Sequence, residues 1–188
     1  MIKQRLTPIV SGLLLAALIA GCAVNPVTGR NELSLLDETH EINLGTNQYG
    51  PTQQSQGGPY TADPELSEYV NKVGQRLARV SDRSLPYEFV IIDDSTPNAW
   101  ALPGGKIGIN RGLLVRLNSE AELAAVLSHE IVHAAARHSA KSIERGLLVD
   151  GVLNAAGAAL ESGNVNYAGI VQDGARLGSQ MLLQSYGR

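Results

Sequence analysis

At 188 residues the chain has room for one domain with a real hydrophobic core, and not for two. Apolar residues make up 44% of it and charged residues 18%, a globular balance rather than a disordered one. The formal charge of −3 mixes signs without a basic cluster, which argues against nucleic acid as a partner. The one cysteine, Cys22, has no second cysteine with which to form an internal disulfide.

In chain order, Lys3 and Arg5 precede an apolar run from Pro8 to Ala20, interrupted only by Ser11 and Gly12. That run is too short and too broken for a transmembrane helix, which needs about 18 to 20 apolar residues. A charged start, a short apolar stretch and small residues at its end read as a secretory signal, residues 1–21. The stretch Leu18-Ile19-Ala20-Gly21-Cys22 resembles a bacterial lipobox. The resemblance implies cleavage before Cys22, lipidation of its thiol and a membrane anchor of several acyl chains. Ala23, rather than Asp, follows the cysteine, and by analogy with bacterial lipoproteins this favours the outer membrane, facing the periplasm.

Residues 22–60 form the expected lipidated segment and linker. Ala23 to Leu36 is turn-rich, with Asn25-Pro26 and Thr28-Gly29, and Asp37 to Tyr49 fits a short helix. Gly50 to Tyr60 is polar and glycine-rich, and reads as a linker or loop. The remaining residues, 61–188, are expected to form the domain. Asp63-Pro64 has the form of an N-cap with proline in the first turn. Leu66, Tyr69, Val70, Val73 and Leu77 then continue at helical spacing to about Val80. Tyr87 to Ile92 predicts a strand, Asn98 to Leu102 a second, and Lys106 to Asn110 a third. Ser119 and Glu122 have capping-box spacing, opening a helix expected to run to Arg145. Helices and strands in this order predict an α+β domain.

Inside that last helix stands His129-Glu130-Ile131-Val132-His133, an H-E-x-x-H motif. Residues four apart share a helix face about 6 Å apart, so both imidazoles can point at one ion. Neutral imidazole suits Zn²⁺, and a tetrahedral site with one open position suits hydrolysis. Glu130, beside the first ligand, is placed to act on a water rather than on the metal, as general base and then acid. A metzincin would need histidine at position 139, which is Ser139. His138 lies five residues past His133, off the ligand face of a continuous helix, and reads as a supporting or structural residue.

The run from Leu123 through Ser128-His129-Glu130 and His133 to Arg137-His138 resembles the active-site helix of metallopeptidase family forty-eight. Asn98-Ala99-Trp100-Ala101-Leu102-Pro103-Gly104-Gly105-Lys106-Ile107 is similar to the segment that precedes that helix, and Asn25-Pro26-Val27-Thr28-Gly29-Arg30 to the family's lipoprotein branch. The resemblance implies a gluzincin-like domain, with the active-site helix packed on a small β-sheet, one Zn²⁺ per chain, and protein or peptide substrates. It further implies that the strand from Lys106 is an open edge joined by substrate, with Gly105, Lys106, Ile107 and Gly108 as contact residues. From the residues alone, Pro103-Gly104-Gly105 is equally readable as a plain hairpin turn.

The same resemblance implies a third ligand, a Glu on a later helix within an E-x-x-x-D pattern. Glu144 and Glu161 are followed four residues on by Leu148 and Val165, and Asp173 lacks the context. The third ligand is therefore not found, and the expectation is an incomplete zinc protease domain. Two functions follow: an envelope endopeptidase acting on misfolded or misassembled proteins, or a catalytically weak lipoprotein that binds such proteins as a chaperone does.

Overall fold

The computed structural model describes residues 22–160, so the expected signal segment, Glu161 and Asp173 lie outside the described residues. The domain is α+β. A two-stranded antiparallel hairpin, β1 (Cys22–Val24) and β2 (Asn31–Leu33), comes first. Two helices follow, α1 (Glu38–Ser55) and α2 (Pro64–Ala78). Three strands then form one sheet: β3 (Glu88–Ile92), β4 (Ala99–Leu102) and β5 (Lys106–Asn110). A short helix α3 (Arg111–Leu114) leads to α4 (Glu120–Ala135) and α5 (His138–Leu160). Among the described residues no helix is long and apolar enough to cross a membrane.

Local chemistry sets the helix starts. The Asp37 carboxylate accepts from the His40 N–H at 2.8 Å, and that of Asp63 from the Leu66 N–H at 2.9 Å. Helix α1, however, runs past its expected end at Tyr49 and through Gly50-Pro51, where a linker was expected. Packing overrides the local signals. Gly45 lies so close to the turn at Pro103 that a Cβ there would stand 1.8 Å from the Pro103 carbonyl oxygen. Tyr49 meets Trp100 edge-on at 6.2 Å, while Pro51 sits on the exposed side. The remainder of the expected linker is tied down too. The Tyr60 N–H donates to the Ile91 carbonyl at 2.8 Å, and the Asp93 N–H to that of Gly58 at 2.9 Å.

In the sheet the strand order is β3-β5-β4, with β3 parallel and β4 antiparallel to β5. Pro103–Gly105 is the turn of the β4–β5 hairpin, with Leu102 opposite Lys106. This corrects the expectation of an open edge at Gly105, Lys106, Ile107 and Gly108. Strand β5 is central, paired on both sides and buried along its whole length. Lys106 turns to Glu88 and the Tyr49 ring, and Gly108 admits the Trp100 ring where a Cβ would stand 2.3 Å from it.

One face of the sheet, with Ile91, Ala99, Ala101, Ile107 and Ile109, meets Val70 and Val73 of α2 and Leu123, Leu127 and Ile131 of α4. The other, with Ile92, Trp100 and Leu102, meets Tyr49 of α1. Period-2 alternation along the strands thus sorts two apolar layers around one small sheet.

A buried ion triad joins these layers. Glu41 of α1 is fully buried, and its carboxylate accepts from Arg83 at 3.0 and 3.1 Å and from Arg137 at 2.9 Å. Removing the anion leaves two guanidinium groups with little access to water. Glu41→Ala should therefore cost about 3–5 kcal/mol of unfolding free energy, read by urea denaturation. A loss under about 1 kcal/mol would mean that both cations find water or other partners.

Candidate metal centre

Helix α4 opens with a variant of the expected capping box. Ser119 Oγ accepts from the Glu122 N–H at 3.2 Å, while the Glu122 carboxylate reaches one residue further back, to the Asn118 N–H at 2.7 Å. Leu123, Leu127, Ile131 and Ala134 then bind one side of the helix to the core. That anchoring leaves His129 at the surface and His133 half-buried on the opposite side.

The two imidazoles converge. Their Nε2 atoms lie 2.9 Å apart, with ring centroids at 4.5 Å. Burial, followed by the neighbouring His138 and His129, pushes His133 down to about 4, so near neutral pH its ring is uncharged and able to ligate a metal. Glu130 is almost wholly buried beside them, and one of its carboxylate oxygens has no hydrogen-bond partner among the described residues. Desolvation pushes this carboxyl up to about 7, where a group can both accept and return a proton at neutral pH.

The expected unbroken helix to Arg145 does not form. Helix α4 ends at Ala135, and Arg137 adopts a left-handed φ of 62° before α5 starts at His138. The break brings His138 Nδ1 to 2.7 Å from His133 Nδ1, a contact that straight-helix geometry would not allow. His138 thus meets the far nitrogen of His133 by a route the sequence did not reveal.

The donor set suits a zinc ion: two imidazoles aimed at one point, with an unsatisfied buried carboxylate oxygen beside them. Among the described residues, no cluster of three His, Cys, Asp or Glu side chains is placed to hold a metal. Glu144 is occupied elsewhere. Its Oε1 accepts from the Leu35 and Leu36 N–H groups at 3.0 and 2.9 Å.

A helix-borne H-E-x-x-H pair over a small mixed sheet defines a metallopeptidase-type domain. Residues 64–188 match the sequence profile of Peptidase family M48, and the chain belongs to that family. It is 32% identical over 120 residues to the Beta-barrel assembly-enhancing protease of Escherichia coli strain K12, covering 63% of this chain and 24% of that one. The protein of the same name from Yersinia pestis is 30% identical over 138 residues, covering 73% and 28%. The Mitochondrial metalloendopeptidase OMA1 of Schizosaccharomyces pombe is 43% identical over 101 residues, covering 53% and 30%. The aligned stretch is thus under a third of each of these relatives.

Sequence reasoning quoted Asn25 and Arg137 in motifs but did not place either of them, or Glu41, in contact across the end of α4. The turn chemistry at Asn25-Pro26 was visible, but its contact with the end of α4, 111 residues away, was not. The cap of α4 yields a direct test. Ser119→Ala should lower stability by about 1 kcal/mol, measured by chemical denaturation, because one first-turn N–H loses its acceptor.

Proposed function

We propose that this chain carries the catalytic H-E-x-x-H helix of a zinc-dependent endopeptidase of the bacterial cell envelope, anchored by lipid on Cys22. The observation that carries this reading is the convergence of His129 and His133 beside Glu130, whose buried carboxylate oxygen lacks a protein partner. His129 and His133 would hold the ion, with the third ligand supplied from outside the described residues. Zinc, when bound, supplies Lewis acidity toward a peptide carbonyl and toward water.

The rest is the work of the protein's own side chains. Glu130 takes a proton from the attacking water and returns it to the nitrogen of the departing amine as the peptide bond breaks. Burial keeps that carboxyl near neutrality, so both transfers are open to it. His138, against the Nδ1 of His133, fixes the orientation of that imidazole.

The substrate class proposed is misfolded or misassembled envelope protein, to which the name of the Escherichia coli and Yersinia pestis relatives lends support. Lipidation of Cys22 and placement at the outer membrane, facing the periplasm, rest on the lipobox resemblance and on Ala23.

Purified full-length chain in detergent should bind near-stoichiometric zinc and cleave casein. Glu130→Gln should retain zinc and lose at least about 100-fold in cleavage, as expected for a lost general base. His129→Ala should lose the zinc itself. Zinc binding without cleavage in the unsubstituted chain would favour the binding role over the enzymatic one. In a bacterial host, labelled palmitate should enter the chain and be absent from Cys22→Ser; equal labelling of both would remove the anchor from the proposal.

A further inference from the structure

An unbroken helix would carry His138, five residues beyond His133, about 140° round the axis and away from it. The two histidines meet only because the chain breaks at Ala136-Arg137. Both residues of the break are held by the N-terminal segment. Asn25 Nδ2 donates to the Ala136 carbonyl at 3.0 Å, satisfying one of the last acceptors of α4. The Arg137 guanidinium donates to Glu41 at 2.9 Å, to the Leu36 carbonyl at 2.5 Å and to Ser34 Oγ. A left-handed arginine is strained and persists where its surroundings fix it. Asn25 is itself fixed, because its Oδ1 closes the hairpin turn by accepting from the Val27 and Thr28 N–H groups at 2.9 and 3.0 Å.

We infer that Asn25 and Arg137 are positioning residues for the metal centre: the N-terminal hairpin sets the break after α4, and the break sets His138 against His133. The inference rests on the metal-centre reading above. Of two neutral rings meeting Nδ1 to Nδ1, one must donate and the other accept. To ligate an ion through Nε2, His133 must carry its proton on Nδ1, and His138 Nδ1 is placed to accept it. The hairpin thereby places the partner that the ligating tautomer requires, from more than a hundred residues away in sequence.

Two variants of the full chain separate positioning from folding. Asn25→Asp keeps the turn-closing oxygen but replaces the donor to Ala136 with an acceptor. Arg137→Gly removes the guanidinium at a φ that glycine adopts freely. Two readouts are taken on each: Co²⁺ affinity by visible absorption, and the His133 ring tautomer in the metal-free chain by long-range ¹⁵N–¹H correlation. Far-UV circular dichroism checks the fold.

The expected result is a folded chain with Co²⁺ affinity reduced at least about tenfold, the scale of outer-shell effects, and with His133 no longer held as the Nδ1–H tautomer. Co²⁺ affinity within twofold of the unsubstituted chain, with the tautomer unchanged in folded variants, overturns the inference. If Asn25→Asp unfolds, Arg137→Gly decides alone. If the unsubstituted chain takes up no Co²⁺, the metal reading fails, and the tautomer comparison still decides the positioning role.

Discussion

The carboxylate of Glu41 is the point on which the arrangement turns. It is fully buried on α1, yet it accepts two hydrogen bonds from Arg83, beyond the end of α2, and one from Arg137, at the end of α4. Three segments far apart in sequence therefore share one anion. Desolvating such a cluster is expensive, and an apolar replacement can be as stable, so net stability does not explain its presence. What directed charge–charge hydrogen bonds supply is geometry. A guanidinium held in a fork has few ways to sit, and Arg137 is the residue whose left-handed backbone turns the chain out of the H-E-x-x-H helix.

Close backbone approach supplies the rest of the scaffold. Gly45 lets α1 settle on the Pro103 turn, Gly74 lets α2 settle on the Phe89 ring, and Gly108 admits Trp100 across β5. At each of these three positions a Cβ would fall less than 3 Å from its neighbour. The sheet is thus gripped on both faces with β5 in the middle. That order places β5, the second strand of the hairpin, between β3 and β4 inside the core, and leaves β4 as an edge strand. Within this hairpin, Trp100, Gly104 and Gly108 each fill or admit a particular neighbour.

Where a feature depended on residues close in sequence, the amino-acid text was sufficient. The caps at Asp63 and Ser119, the three strands, the Pro103-Gly104-Gly105 turn and the i, i+4 histidine pair all follow from local periodicity and turn chemistry. What escaped was set by partners far away. Helix α1 crosses Gly50-Pro51 because Gly45 and Tyr49 are gripped by the β4–β5 hairpin, against the local signals. The break at Ala136-Arg137 lies in a run with no helix breaker, and its cause is spread over Asn25, Ser34, Leu36 and Glu41. Strand order, and with it the placement of Lys106 to Gly108, is a property of the sheet that no single strand encodes.

Two glutamates in this small domain are nearly identical in burial and opposite in treatment. Glu41 is surrounded by donors, whereas Glu130 retains an oxygen with no partner among the described residues and a proton affinity raised toward neutrality. A buried polar group without a partner costs free energy, and a chain that satisfies one carboxylate with two arginines does not lack the means to satisfy another. Of the four buried side-chain atoms without a partner among the described residues, Glu130 Oε2 is the one on a carboxylate. Glu130 stands one residue from His129, on the helix whose far end Glu41 holds in place through Arg137. The satisfied carboxylate fixes the frame, and the other keeps an oxygen without a partner within it.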